Sequence, residues 1–595
     1  MRDRKKDRVI SNNIFAIKWL FKIAPVYTTY RVLMGIINDV CVLVEHTFLV
    51  AYIISCIENG KGLNDVLLLF VPVTLLIIFR MLLFPYISAY VRPKAMEKIN
   101  KDIKLKLYNK AVGMDIEKYD NADFYNDFVW AMQDAPSHMS GALDTFINFL
   151  STVVMTLIVG VYVVFADVAG LFFIIITVIV TFICRMKLNQ RQMKRDEEMV
   201  PQRRKRDYVN RVFYLADFAK DLKTSQISEK LYTDYKNASV DMQETVTKHS
   251  KKLILLEYIT NILQRVLTFD GVYLSWLLYQ IFVLNAFGYG TLIALYNSSG
   301  KLKSSIDSFV ETIPRFQQHS MYIEKLRSFL ESENLLKDNG VHIVPQSGNI
   351  LLDNITFSYP GSDKSTINRI SMQINKGDKI ALVGHNGAGK STLVKLLMRL
   401  YDPQGGRILY DDNLLTEYPL KEYRNRFGTV FQEHEIIAAT LGENITMSTE
   451  VLDEDRARET FDKVGFIEKF NSLADAFDTP MTKEFDSAGV NLSGGEAQKI
   501  ALARVLYSDA SVLIFDEPSS ALDPIAEYQL NRTILDIARD KTVIIITHRL
   551  STTRFADKIY MLENGSVVET GTHDELIGQN GKYAEMFNLQ AEKYR

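Results

Sequence analysis

Six apolar runs of membrane length constrain this 595-residue chain before any motif is read. A helix needs about 20 apolar residues to cross the hydrocarbon core of a bilayer. Residues 150–165 with their flanks and 169–184 meet that need around the tight break Ala166-Asp167-Val168. An earlier pair, 32–57 and 66–90, brackets the polar loop 58–65; a later pair, 253–284 and 290–309, is more polar. One such run could be a buried helix of a soluble bundle, but six in three hairpins predict an all-α polytopic membrane domain. The expected outer loops, 58–65, 166–168 and 285–289, hold a single basic residue, Lys61. The N-terminus and the connections 91–137 and 185–252 hold most of the others, which places them in the cytosol. Both connections have helical composition, so the second to fifth membrane helices are expected to extend well beyond the bilayer.

Charge divides the chain in the same way. Residues 1–340 carry 42 Lys and Arg against 34 Asp and Glu, the remainder 27 against 37, and the net charge is −2. That balance excludes a general nucleic-acid binder. Cys41, Cys56 and Cys184 lie in apolar runs without metal-ligand spacing and read as packing residues. The start, Arg2-Asp3-Arg4-Lys5-Lys6-Asp7-Arg8, leads into an amphipathic stretch at 14–26 rather than a cleavable signal pattern, so a helix at the inner membrane face is expected. The expected organisation is an elbow at 1–27, six membrane helices within 28–331, a polar linker at 332–347, and an α/β domain at 348–595. With about thirty residues before the first span, no N-terminal peptidase domain is expected.

In the α/β part, Gly384-His385-Asn386-Gly387-Ala388-Gly389-Lys390-Ser391-Thr392 follows a predicted strand at 379–383 and opens a predicted helix at 391–400. This is the P-loop pattern in its required context. The glycines let successive N–H groups face phosphate oxygens beside a helix N-terminus. Lys390 is placed to reach the β- and γ-phosphates, and Ser391 to ligate Mg²⁺. A second apolar strand, at 511–515, ends in Asp516-Glu517-Pro518, which delivers Asp516 to the metal and Glu517 to the attacking water. A surface turn would not explain why these acids follow an apolar strand. Between the two lies Asn491-Leu492-Ser493-Gly494-Gly495-Glu496, which by itself is a helix cap or an anion nest.

Taken together, these motifs resemble the ATP-binding cassette (ABC) family. Leu492-Ser493-Gly494-Gly495-Glu496 is similar to its LSGGQ signature, with Glu496 in place of the commoner Gln. Tyr359 matches the aromatic that stacks on adenine, Gln432 the Q-loop, Asp523 in Ser520-Ala521-Leu522-Asp523 the D-loop, and His548 the switch histidine. The resemblance covers about 348 to the C-terminus. The membrane half resembles the six-helix domain of type IV exporters, half-transporters that include multidrug, lipid and peptide exporters, through its hairpin pattern and loop lengths. The segment Lys483-Glu484-Phe485-Asp486-Ser487-Ala488-Gly489 departs from the exporters' usual TEVGERG-like loop and, with Glu496, looks more like the cassettes of bacterial peptide and bacteriocin exporters.

The resemblance implies that ATP and Mg²⁺ bind between two head-to-tail cassettes. One copy would supply Tyr359, the P-loop residues, Gln432, Asp516, Glu517 and His548; the other would supply Ser493, Gly494 and Gly495. A second half-transporter is therefore expected, and the intact Glu517 and signature favour a homodimer while leaving a heterodimer open. Coupling helices are expected near 114–127 and 214–222. The implied activity is ATP-driven export of a peptide, an amphipathic drug-like compound or a lipid, from a multi-pass position in a bacterial inner membrane with the cassette cytosolic. Import through the same architecture, and a membrane-tethered regulatory ATPase, remain alternatives. Intramembrane polar residues are costly and tend to face a cavity. Asp39 and His46, then Glu257, Asn261, Gln264, Arg265 and Thr268, then Asn297, Lys301, Ser304, Ser305 and Ser308 recur at helical spacing. The acids Asp39, Glu45, Glu257, Asp270 and Asp307 outnumber Arg265, Lys301 and Lys303, which favours cationic cargo.

Overall fold

The computed structural model describes residues 2–264, 266, 271–362, 364–432, 435–518, 532, 534, 540–549 and 552–592. It forms two compact units, Met1–Val112 with Asn126–Ser332, and Gly113–Tyr125 with Glu333–Arg595.

The first unit is helical. It begins with α1 (Arg2–Ile23) and α2 (Pro25–Glu58), where Pro25 occupies the first helical turn, whose N–H groups have no intrahelical acceptor. Helix α3 (Leu63–Val112) contains Pro72 and Pro85, and a π-helical turn, Ile87–Val91, follows the second proline. The short α4 (Ile116–Tyr119) belongs to the second unit. Then come α5 (Ala122–Ala166), α6 (Gly170–Tyr214), α7 (Ala219–Thr224), α8 (Ile227–Gln264), α9 (Leu274–Phe282) and α10 (Tyr289–Glu331). Among the described residues α2, α3 and the 127–166 part of α5 contain windows long and apolar enough to cross a membrane. The other three expected spans lie on α6, on α8 with α9, and on α10. The protein is a multi-pass membrane protein.

Helix α1 buries Asn12 and Asn13 rather than apolar groups alone. Their side-chain amides donate to Ser320 and Phe316 of α10 at 3.0 and 2.9 Å, while Ile10, Ile14 and Phe21 stay exposed. The break between α5 and α6 is built on Asp167. Its Oδ1 accepts the N–H of Gly170 and the Gln280 amide, each at 2.9 Å, so it caps α6 and ties it to α9. A Cβ at Gly170 would fall 2.0 Å from the same carboxylate. Beyond the apolar runs, α6 and α8 pack side by side through Val209, Val212 and Leu231, with Glu198 held 3.0 Å from both Lys248 and His249.

The second unit has two sheets. A four-stranded antiparallel sheet runs β2-β1-β4-β5, with β1 (Ile350–Phe357), β2 (Ile367–Ile374), β4 (Gly405–Tyr410) and β5 (Asn413–Leu414). The other runs β10-β9-β3-β8-β7-β6, with β3 (Lys379–Val383), β6 (Phe427–Val430), β7 (Val512–Asp516), β8 (Thr542–Ile546), β9 (Lys558–Glu563) and β10 (Ser566–Gly571). Every pair in it is parallel except β9–β10. Strands β7 and β8 are buried along their whole length, which explains their unbroken apolar runs. An apolar core of Phe461, Phe466, Phe470 and Phe477 carries a helical subdomain against β6 and β7.

The segment Gly113–Tyr125 is held to this unit by its acids. Buried Asp115 accepts the N–H groups of Leu335 and Leu336, the second at 2.9 Å, and Asp120 accepts the hydroxyl of fully buried Tyr401. Tyr401→Phe keeps the ring and removes that donor, a loss of about 1–2 kcal/mol. Amide exchange across 113–125 should accelerate roughly tenfold while β3 and β7 stay protected; unchanged exchange in that segment would show that Asp120 does not anchor it.

Candidate nucleotide site

The neighbours β3, β8 and β7 end at one edge of the six-stranded sheet, and each delivers functional residues there. Strand β3 runs into the P-loop, which leads into α11 (Lys390–Leu397). Gly384, Gly387 and Gly389 have φ values of 151°, 80° and 103°, which few side chains tolerate. At Gly384 a Cβ would also meet the Leu562 carbonyl at 2.3 Å, whereas at Gly387 it would meet nothing within 4 Å. His385, Asn386 and Gly387 are exposed, and Ala388 and Lys390 are buried. The Lys390 ammonium turns back to the carbonyls of Gly384 and His385 at 2.8 and 3.1 Å. Burial lowers its pKa, against the pull of Glu517 and Asp516.

Buried Asp516 at the end of β7 accepts the Ser391 hydroxyl at 3.0 Å. Burial raises its pKa and the Ser391 bond opposes the rise. Glu517 follows in the left-handed region, with φ at 51°, a strained conformation for a non-glycine residue. Its N–H bonds the Ile546 carbonyl of β8 at 2.9 Å, which fixes the turn, and its Oε1 lies 3.0 Å from Nδ1 of His548. Tyr359 shares a hydrogen bond with Thr392 at 3.1 Å and packs edge-on against Tyr401. Gln432 is exposed two residues beyond β6. The structure thus brings Tyr359, Lys390, Ser391, Thr392, Asp516, Glu517 and His548 together. Asp523 lies outside the described residues.

Ser493, Gly494 and Gly495 stand apart, since no hydrogen bond or ion pair among the described residues joins them to the P-loop. Ser493 caps the helix Gly494–Tyr507 and forms a reciprocal box with Glu496: its hydroxyl accepts the Glu496 N–H, and its own N–H reaches the carboxylate at 2.8 Å. Lys469 lies 3.3 Å from that carboxylate. Glu496 is therefore a capping residue, a role its S-x-x-E spacing encodes but which the signature pattern overshadowed. Among the described residues a Cβ at Gly494 or Gly495 would meet nothing within 4 Å, so no packing against them demands glycine there.

The decisive match is to the cassette. Residues 367–520 fit the family model for the ABC transporter. The cassette is an ABC transporter domain. Such a domain binds ATP, and the P-loop edge is where this one would hold it. Over 310 residues the chain is 34% identical to the ATP-dependent lipid A-core flippases of Salmonella typhimurium (strain LT2) and Escherichia coli (strain K12), covering 52% of this chain and 52% of each flippase. The Shigella sonnei flippase matches equally over 303 residues. The chain spans about half the length of the curated relatives it matches. Its fold is that of a solved bacterial Atm1-family ABC exporter with ATP bound, at a TM-score of 0.71 and 22% identity, covering 96% of this chain and 98% of that one. The chain thus joins a helical unit to one cassette, in the fold of that exporter.

The polar membrane residues divide differently from the sequence reading. Ser298, Ser299 and Ser305 of α10 are buried, whereas Ser304 and Ser308 are exposed, as are Glu257 and Asn261 of α8. Asn297 donates to the His46 carbonyl at 3.0 Å. Two acids behind the preference for cationic cargo are matched within the unit, Glu45 by Arg80 at 3.3 Å and Asp307 by Arg185 at 3.0 Å. Asp39 accepts from Ser151, and Asp270, Arg265 and Thr268 lie outside the described residues. The acidic excess is therefore corrected: counting ignored partners on other helices, and no preference for cations follows.

The Ser493 N–H and Lys469 hold the Glu496 carboxyl below its ordinary value. Its stabilising contribution is thus present above the unfolded carboxylate pKa, about 4.3, and fades as pH falls through the folded value. Ser493→Ala should cost the cassette about 1 kcal/mol, and Glu496→Gln much less, while flattening the decline in stability below pH 5. Both are read by denaturant unfolding across pH; an unaltered acid limb in Glu496→Gln would remove Glu496 as its source.

Proposed function

We propose that this protein is an ATP-driven exporter that hydrolyses ATP between two head-to-tail cassettes and moves its cargo by alternating access. The observation that carries the proposal is the convergence of Lys390, Ser391, Asp516, Glu517 and His548 on one sheet edge, in a chain whose other unit is a polytopic helical bundle. The residues fit Mg²⁺, because the Ser391 hydroxyl and Asp516 carboxylate present two hard oxygen donors 3.0 Å apart. Ser391, Asp516 and the Gln432 amide oxygen would hold the ion, which when bound offsets the charge of the β- and γ-phosphates. Lys390 exchanges the Gly384 and His385 carbonyls for phosphate oxygens, and the P-loop N–H groups surround the remaining charge. Tyr359 stacks on adenine. Glu517 takes the proton of the attacking water, and His548 orients its carboxylate.

Two features point to a second copy. Among the described residues nothing lies within 4 Å of a Cβ at Gly494 or Gly495, although a free helix start tolerates other residues, which suits close approach of a nucleotide carried by another chain. The intact Glu517 and signature in one chain favour a homodimer with two competent sites. Cassette closure would draw the cytosolic helix ends together and turn the cavity outward, with Gly113–Tyr125 following the cassette that anchors it. The placement of basic residues supports a cytosolic cassette, and in this reading the membrane is a bacterial inner membrane. Peptides, amphipathic compounds and lipids remain the candidate cargo classes; the names of the flippase relatives favour lipids.

The test is ATP turnover by the full chain alone in liposomes. Glu517→Gln should retain ATP binding and lose roughly 100- to 10,000-fold in turnover, whereas Lys390→Ala should weaken ATP binding itself. Wild-type turnover by Glu517→Gln would overturn the assignment of the base, and no turnover by the wild type would overturn the self-sufficient homodimer.

A further inference from the structure

The seam between α6 and α8 changes character along its length. Far from the membrane it is apolar, through Val209, Val212 and Leu231. Nearer, it is a compensated charge contact, Glu198 with Lys248 and His249. One turn closer to the apolar runs it opens into a cavity of about 700 Å³ lined by Lys187, Gln190, Arg191 and Lys194 of α6 and by Lys252, Leu255 and Leu256 of α8.

The spacing explains the cavity. Residues 187, 190, 191 and 194 stand at i, i+3, i+4 and i+7, and 252, 255 and 256 at i, i+3 and i+4, so each set lies on one helix face. These faces lie beside the buried residues Leu188 and Leu253, so the four exposed cations rim an open concavity next to the packed seam, and among the described residues none of the four has a carboxylate within 4.0 Å. Like charges in one concavity repel, and an anion supplied from outside would remove the penalty.

Position identifies the anion. Lys187 lies three residues beyond the apolar run that ends at Cys184, about 4.5 Å along the helix axis, and Lys252 immediately precedes the apolar run on α8. The cavity is therefore at headgroup depth. Its apolar side, exposed Leu255 and half-buried Leu256, continues toward the bilayer into exposed Ile179 and Ile183 on α6 and Ile259 and Ile262 on α8. A soluble phosphate would use the cations and leave that apolar track unused. An anionic phospholipid would use both.

We propose that Lys187, Arg191, Lys194 and Lys252 form a binding site for the phosphate headgroup of an anionic phospholipid of the cytosolic leaflet, with its acyl chains along the adjoining faces of α6 and α8. The site goes beyond basic residues that merely flank a span, because the charges converge from two helices on one cavity with an apolar side. It rests on the membrane orientation proposed above and does not depend on ATP hydrolysis.

The experiment is native mass spectrometry of the full-length protein with phosphatidylglycerol or phosphatidylcholine, beside Arg191→Gln/Lys252→Gln and a control, Lys205→Gln, at the same seam outside the cavity. Wild type should retain phosphatidylglycerol in preference to phosphatidylcholine. The double variant should lose that preference by roughly thirtyfold, and the control should keep it. Glycerol phosphate at equal concentration should not displace the lipid. Equal retention of both lipids by wild type, wild-type retention by the double variant, or displacement by glycerol phosphate would each overturn the proposal. ATP turnover of the same samples in zwitterionic lipid should be equal in wild type and double variant, which shows that the double variant is folded. A wild type that binds phosphatidylglycerol but turns over no ATP would sink the exporter proposal and leave the lipid site standing.

Discussion

The hydrogen bond between Ser391 and Asp516 is the contact on which the cassette's arrangement depends. It joins the start of a helix to the end of a strand, and its length of 3.0 Å requires that β3 and β7 end at the same level with β8 between them. The parallel register Lys379↔Val543 and Leu513↔Val543 provides that alignment. Burial of Asp516 has a cost, met in part by the Ser391 hydroxyl, and the buried carboxylate is then poised for a cation. The left-handed turn at Glu517 follows from the same geometry. The chain must leave β7 sharply for the carboxylate to point along the sheet edge toward His548, and a single backbone bond to Ile546 fixes it there.

Local patterns carried the cassette in the sequence. The strand at 379–383 was read to the residue, and the acidic strand read at 511–515 is Val512–Asp516. Both are short buried runs bounded by turn residues, so burial and propensity agree. The helix after the P-loop was expected to reach residue 400 but stops at Leu397, where Met398 leaves helical geometry and Arg399 takes a positive φ. Contacts between distant residues were not legible. Asp167 looked like a turn residue, yet it caps α6 and holds Gln280 113 positions away. Arg80 and Arg185 have no place in the intramembrane charge count, yet they pair with Glu45 and Asp307, and those pairs remove the basis for a cargo charge. Nothing local marks Asp120 as the partner of Tyr401, because the pairing exists only once the segment lies on the cassette.

Small residues and charges mark the places where each unit is incomplete. Among the described residues, Gly494 and Gly495 have unfilled room around them, and the cavity between α6 and α8 gathers cations without a carboxylate within 4.0 Å. In a soluble core both would be defects, since glycine weakens a helix start and like charges repel. The two proposals assign each to a component outside the single chain, a nucleotide on a second copy in one case and an anionic headgroup in the other. The bonded β3–β8–β7 edge is the frame against which a nucleotide would be held.

The central claim is that each ATP is held between the P-loop of one copy and the signature of another. The direct measurement is ATP turnover in mixed dimers of Lys390→Ala, impaired in the P-loop, and Ser493→Arg, impaired in the signature, purified through a different tag on each chain. A shared site predicts that the mixed dimer, which retains one site with both halves intact, hydrolyses ATP well above either parent. Turnover no higher than that of the parents would contradict the account, because a site contained within one chain would be damaged in every copy.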